Sequence, residues 1–175
     1  TAWFLSEIPG SISAANRILE LLNEKPGIVN KKNLQKLPID GNGTIKFNKV
    51  NFQYGNEKIF NDLSFSVEGK KTVAVVGSTG SGKSTLGYLI PRLYQIDSGK
   101  IEIDGVDINN LDLSELRNSV SLAFQESFLF SNTAKENIAI GLKDATQEEI
   151  ENAANVARAH EFIAELPEAY ETTVG

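Results

Sequence analysis

The stretch Gly77-Ser78-Thr79-Gly80-Ser81-Gly82-Lys83-Ser84-Thr85 constrains this chain more than any other. It fits the pattern G-x-x-x-x-G-K-[ST]. The apolar run Thr72-Val73-Ala74-Val75-Val76 precedes it, and a helix-compatible stretch from Ser84 to Tyr94 follows, with Pro91 expected to kink or shorten that helix. Continuous rather than alternating apolarity suits a strand buried on both faces, as in a parallel sheet. The glycines let backbone N–H groups turn inward. Those amides and the following helix N-terminus make a concave anion site. Lys83 adds a point charge for β- and γ-phosphates, and Ser84 offers a hydroxyl to Mg²⁺. A Gly/Ser-rich surface loop could match by accident, but the flanking strand and helix patterns favour the phosphate loop.

The remaining totals narrow the class. With 175 residues, 41% hydrophobic and 23% charged, the chain suits one compact domain plus an appendage. A net charge of -6 without a long basic run disfavours a nucleic-acid partner. The absence of cysteine excludes disulfides and thiolate metal sites, and a single histidine excludes a multi-histidine site. No run is long and apolar enough to cross a membrane, and no signal-peptide pattern opens the chain. The start at Thr1 and the lack of any methionine suggest a piece of something longer.

Along the chain, residues 1–27 hold a short apolar stub, Thr1 to Leu5, which Pro9-Gly10 is expected to interrupt. A helix over about Ser11 to Glu24 follows, with Ile12, Ala15, Ile18, Leu19 and Leu22 near one face. Residues 28–43 read as a polar linker in which Lys31, Lys32 and Lys36 are solvated. From Thr44 the pattern alternates: Ile45 and Phe47 share one face, and Val50, Phe52 and Tyr54 share one after a shift, implying a bulge near Asn48-Lys49. Further strands are expected over Ile59–Val67, Lys100–Asp104 and Val120–Phe124. Asp112 with Glu115, Thr133 with Glu136 and Thr146 with Glu149 have capping-box spacing. The last of these should open the clearest helix, with Ile150, Ala153, Ala154 and Ala157 on one side.

A phosphate loop alone names a superfamily. From Thr44 to Gly175 the order of segments resembles the nucleotide-binding domain of an exporter-type ATP-binding cassette (ABC) transporter. Phe52-Gln53-Tyr54-Gly55 resembles the family's aromatic A-loop, Asp97 to Gly105 its strand-turn segment, and Leu113 to Arg117 the element after it. Phe124-Gln125-Glu126-Ser127-Phe128-Leu129-Phe130 resembles the Q-loop, and Ser131 to Ile138 and His160 to Gly175 are similar to exporter sequences. The resemblance implies an α/β P-loop fold with an antiparallel β subdomain, and ATP and Mg²⁺ as ligands. It implies that Tyr54 stacks on adenine and that Gly77, Ser78, Thr79, Gly80, Ser81, Gly82, Lys83, Ser84 and Thr85 hold the phosphates. Lys83 and Gln125 would serve catalysis, with Ser84 and Gln125 on the metal. Residues 44–175 would be the front of the ATP-binding domain, and residues 1–27 the end of a helix from a transmembrane domain. The implied partners are that domain and a second nucleotide-binding domain arranged head to tail, on the cytoplasmic face of a membrane reached only through the transmembrane portion.

Two family elements are missing from the sequence: a signature loop of the L-S-G-G-Q kind and a Walker B strand ending in Asp-Glu. The chain therefore reads as truncated before the signature, with an incomplete central sheet, able to bind ATP but not to turn it over. The nearest imitation of Walker B, Val120 to Phe124, is followed by Gln125-Glu126. His160 is expected near a helix end with no catalytic role. A different P-loop phosphotransferase is one alternative, which the scattered Arg17, Arg92, Arg117 and Arg158 disfavour because a kinase needs lid arginines. A non-hydrolytic nucleotide-binding half-cassette is another.

Overall fold

A computed structural model describes residues 2–125 and 128–175, the side chains of residues 2–11 excepted. Thr1, and Glu126 and Ser127 of the Q-loop-like stretch, lie outside the described residues. The chain forms two compact units that divide between Leu122 and Ala123.

The first unit opens with helix α1, Ala2–Asn23. It runs through Pro9-Gly10, where an interruption was expected. Counting back from Leu22, the spacing Leu19, Ala15, Ile12, Ile8, Leu5 keeps the helical period across the proline. Pro9 lacks the N–H for one backbone bond, and the helix nevertheless continues through it. From Ile12 to Asn23 every residue is exposed, Leu21 at 77%.

Strands β1 (Ile45–Tyr54), β2 (Glu57–Val67), β3 (Ser98–Ile103) and β4 (Val106–Asp107) form one antiparallel sheet in the order β2-β1-β3-β4. Phe47 pairs with Phe65, and the register then shifts so that Val50 pairs with Leu63. Val50 is three positions beyond Phe47, which in an unbroken strand would put them on opposite faces. The expected bulge restores them to one face: Lys49 adopts φ 48°, and Phe47, Val50 and Phe52 are all buried. Phe60, Leu89, Ile101, Ile103, Ile108, Leu111 and Leu116 complete this core.

Helix α2 (Lys83–Leu89) ends ahead of Pro91, and α3 (Leu113–Ser119) follows the short helical turn Ile108–Asn110. Asp112 caps α3 by accepting from Ser114 and Glu115 N–H. The expected capping box is not completed, because Glu115 Oε1 accepts from Leu37 N–H at 3.2 Å.

Two strand expectations fail. Thr72–Val76 and Val120–Phe124 pair with no strand among the described residues. A strand apolar on both faces needs flanking strands as well as covering layers. Here Val73 is 52% and Val76 89% exposed.

The linker is not free chain. Asn30 Nδ2 donates to Asp112 Oδ2, and Leu113 N–H donates to Asn30 Oδ1. Lys31, expected to be solvated only, donates to Asn110 Oδ1 at 3.0 Å. Gln35 bridges Leu111 in parallel. At the far end Asp104 accepts from Gly43 N–H at 3.0 Å and from Thr44 N–H at 2.9 Å. Side-chain acceptors aimed at linker amides turn a polar, flexible composition into a docked strap.

Burial works to raise the Asp104 pKa, but the N–H groups of Gly43, Thr44 and Asn42 outweigh it and hold the carboxyl below the ordinary aspartate range. A carboxyl with a lower pKa folded than unfolded stabilises above its unfolded value of about 3.9 and loses that stabilisation as pH falls through the folded value. Asp104→Asn is therefore expected to destabilise the protein near neutral pH and to destabilise it less at about pH 3. Urea titrations at both pH values check this, and equal destabilisation at the two would contradict it.

The second unit pairs β5 (Asn132–Thr133) with β6 (Thr173–Val174) and packs α4 (Ala134–Ile138), α5 (Gln147–Val156) and α6 (His160–Ala164) around Ala134, Ile150, Ala154, Ile163 and Tyr170. Both expected capping boxes form, Thr133 with Glu136 and Thr146 with Glu149. In α5 the buried side is narrower than the sequence suggests: Ile150 and Ala154 are buried, Ala153 and Ala157 exposed. Arg158, at φ 59°, ends that helix, so His160 opens α6 and does not close α5. Its Nδ1 lies 2.8 Å from the Tyr170 hydroxyl, which gives it a partner in the core of this unit.

Candidate functional site

The phosphate-loop residues form a tight turn leading into α2. Ser81 N–H donates to Ser78 O at 3.3 Å, and Gly82 stands at the helix N-cap with φ 86°. No side chain caps the helix, and Leu86 N–H donates to Gly82 O at 3.1 Å. The amides of Lys83, Ser84 and Thr85 belong to the first turn, where intrahelical acceptors are lacking. Donors in this position suit an anion.

Gly82 is demanded twice over. Its φ is left-handed, and a Cβ there would meet Phe60 Cε1 at 2.7 Å and Ile59 Cγ2 at 2.8 Å. The loop thus sits directly on β2. Gly80, at φ 80°, has open space around it. Lys83 Nζ folds back to donate to Gly77 O at 2.9 Å and Ser78 O at 2.6 Å, which holds the ammonium within the loop. Ser78, Thr79, Gly80, Ser81 and Ser84 are exposed, whereas Thr85 is 7% exposed and offers chiefly its backbone N–H.

Tyr54 comes to the same face of the β1–β2 hairpin. Phe52 is the cross-strand partner of Phe60, whose ring supports Gly82. Tyr54 lies two residues beyond Phe52, so its side chain projects to the same side. The Phe52 and Tyr54 rings meet edge to face with centroids 4.7 Å apart. Tyr54 also meets Tyr94 edge to face at 5.0 Å and is half-buried, leaving part of its ring open.

Gln125 belongs to the second unit, where it is an exposed bend residue. The structure therefore gathers Tyr54 and Gly77 to Thr85 within the first unit, and Gln125 stands in the other. After it, Asn137 fixes the path of the chain, exchanging hydrogen bonds at 2.9 Å with both Phe130 N–H and Phe130 O.

For a metal, the donors at the loop are exposed hydroxyls, those of Ser78, Thr79, Ser81 and Ser84. Among the described residues no group of three or more His, Cys, Asp or Glu could hold a cation. This fits Mg²⁺, which binds commonly through one or two protein ligands, substrate phosphates and waters rather than a protein cage.

The arginines are less scattered than they look in sequence. Arg117 Nη2 donates to Arg92 O at 3.1 Å. Arg92 is 4% exposed, and its guanidinium reaches Ile108 O and Val29 O. Burial lowers its pKa, Asp107 opposes this, and Arg117 lowers it further. Both arginines tie backbone segments together, Arg92 from a buried position and Arg117 by donating to Pro91 O and Arg92 O.

The sequence profile of the ABC transporter family matches residues 60–174, from β2 through the phosphate loop to the end of the second unit. This chain belongs to the ABC transporter family. Among its relatives is the Bacillus subtilis (strain 168) protein YgaD, named a multidrug export ATP-binding/permease protein. It is 47% identical over 167 residues, covering 94% of this chain and 29% of YgaD. The Staphylococcus aureus (strain bovine RF122 / ET3-1) protein SAB1799c, similarly named, is 44% identical over 160 residues, covering 90% of this chain and 28% of the relative. A bacterial Atm1-family ABC exporter solved with ATP bound aligns with a TM-score of 0.82 at 33% identity, over 98% of this chain and 30% of that one. The chain thus spans under a third of the length of the relatives it matches. The P-loop fold expected from sequence is that of the family.

Sequence reading missed Asp104, Asn30 and Tyr94 as organising residues. For Asp104 and Asn30 no local signal exists, because their partners lie 60 and 83 residues away. Tyr94 had one available signal, a tyrosine six places beyond Tyr88 at the end of the loop's own helix.

Proposed function

We propose that this chain is the ATP-binding part of an exporter-type ABC transporter, which couples ATP binding and hydrolysis to transport across a membrane. The observation that carries this is the seating of the phosphate loop on Phe60, on the hairpin face that also carries the part-open Tyr54 ring. One ATP would use both features: adenine against the Tyr54 face, and the triphosphate on the loop amides and Lys83. Ser84 and Gln125 are the proposed Mg²⁺ ligands, and Gln125 would report nucleotide state to the transmembrane domain. When bound, Mg²⁺ neutralises charge on the β- and γ-phosphate oxygens. Lys83 provides a second positive charge there and orients the phosphates.

The domain division proposed is residues 1–27 as the end of a helix from the transmembrane domain, 28–43 as the connection and 44–175 as the front of the ATP-binding domain. The second half of α1 supports it, since its apolar residues from Ile12 to Leu22 are left uncovered. No described helix is long and apolar enough to cross a membrane itself. The partners in this reading are the transmembrane domain and a second nucleotide-binding domain, on the cytoplasmic face.

The 175 residues supply Lys83, Ser84 and Gln125 but no Asp-Glu after an apolar strand. Phosphoryl transfer to water needs such groups to anchor the metal and orient the nucleophile. The 175-residue chain is therefore expected to bind MgATP without steady turnover. Calorimetry with MgATP and a phosphate-release assay check both halves. Sustained phosphate release that disappears in Lys83→Ala would overturn the second half, and no MgATP binding would overturn the first. Transfer of phosphate to an added acceptor would point to a phosphotransferase, a reading the structural placement of Arg92 and Arg117 disfavours.

A further inference from the structure

We infer that Tyr94 is a positioning residue for the nucleotide base: it holds the Tyr54 ring in the orientation that receives it. This rests on the reading of Tyr54 as the adenine platform. An aromatic side chain at a strand end, half-buried, keeps freedom about its side-chain torsions unless neighbours confine it. Tyr54 is confined from two directions. Phe52 lies edge to face at 4.7 Å with an interplanar angle of 86°, and Tyr94 does so at 5.0 Å and 85°. Phe52 and Tyr94 also contact each other at 5.9 Å, which closes the group into a triangle.

The two supports differ. Phe52 is 4% exposed and belongs to the hydrophobic core, so its removal would disturb the sheet. Tyr94 is 43% exposed, and it comes from the segment after α2 rather than from the sheet. It contacts Tyr88 on α2 at 6.3 Å, and Leu93 N–H donates to Tyr88 O at 3.0 Å. Tyr94 is thereby fixed to the helix whose first turn belongs to the phosphate loop. A rigid path runs from the loop through α2, Tyr88 and Tyr94 to Tyr54, which sets the base platform at a defined place relative to the phosphates. Ordering the platform in advance spares the ligand the cost of ordering it on binding.

The test compares MgATP with inorganic tripolyphosphate plus Mg²⁺, each titrated calorimetrically into the intact protein and its variants. Tripolyphosphate engages the loop but has no base. Tyr94→Ala is expected to weaken MgATP binding roughly 3- to 10-fold, within the range of a lost aromatic contact, and to leave tripolyphosphate unchanged. Tyr94→Phe keeps the ring and should retain wild-type affinity. Tyr54→Ala with Tyr94→Ala should bind MgATP no more weakly than Tyr54→Ala alone, because a support has nothing left to position. Equal weakening of both ligands by Tyr94→Ala would mean that it merely props the loop, and would overturn the inference. Unchanged MgATP binding in Tyr94→Ala, beside a loss in Tyr54→Ala, would overturn it while sparing the platform. Unchanged binding in Tyr54→Ala would remove the platform, and the inference with it.

Discussion

Gly82→Ala is expected to destabilise the protein by roughly 2–5 kcal/mol and to cost it nucleotide binding as well. Two penalties add. An L-residue held at φ 86° loses about 1–2 kcal/mol. The new methyl would also press into Phe60 and Ile59 at 2.7–2.9 Å, and overpacking of this kind costs about 1–3 kcal/mol. The Phe60 ring cannot yield easily. Phe60 is paired with Phe52 across the sheet, and both belong to the core. The cheaper relaxation lifts the loop off the hairpin, which separates the phosphate amides from Tyr54. Gly80→Ala is the control, since Gly80 has a similar φ of 80° and open space around it. It should lose only the torsional part, about 1–2 kcal/mol. Urea midpoints for both variants decide the matter: equal losses would show that the loop does not rest on β2 as described.

Local features of this chain were legible and non-local ones were not. The bulge at Lys49 could be read because Phe47 and Val50 are three residues apart, a spacing at which a plain strand cannot bury both. The capping boxes at Thr133 and Thr146 could be read because each is complete within four residues. Asp112 and Glu115 show where such reading stops. The spacing is the same, yet Glu115 is drawn to the Leu37 amide, 78 residues away. The same limit explains Thr72–Val76. Its composition suits a strand between two others, but composition cannot supply the neighbours, and the described residues contain none. Pro9-Gly10 failed for the opposite reason. A periodic stripe that continues on both sides of those two residues outweighs their helix-breaking propensity.

The candidate site divides along the same line. The loop is a contiguous motif, so Gly77 to Thr85 could be proposed as a phosphate site from sequence alone. Tyr54 could be proposed only through family resemblance, since a strand tyrosine is ordinarily a packing residue. Its seat beside Phe52 and Tyr94 shows that it packs and stays part-open at once. Tyr94 and the docked strap follow from contacts between distant segments, which no spacing rule encodes.

Lys83→Ala is expected to weaken MgATP binding roughly 10- to 100-fold while changing the ligand-free protein little. The ammonium donates to Gly77 O and Ser78 O, both exposed, so in the absence of ligand water replaces those bonds at a cost of under about 1 kcal/mol. Against a triphosphate the same ammonium makes charge-assisted bonds, which contribute about 1.5–3 kcal/mol. Thermal unfolding separates the two quantities. At a MgATP concentration about 100 times its Kd, the unaltered protein should gain about 2.7 kcal/mol of stability. If the variant binds 100-fold more weakly, the same concentration only equals its Kd, and the gain falls to about 0.4 kcal/mol. Lys83→Arg keeps the charge, but a planar fork cannot occupy the place of a compact ammonium between two carbonyl groups, so it should resemble the alanine variant. Undiminished stabilisation by MgATP in Lys83→Ala would mean that the phosphates are held somewhere other than this loop. A stabilisation lost in both variants, with unaltered melting in the absence of ligand, requires a phosphate group within reach of Lys83 Nζ.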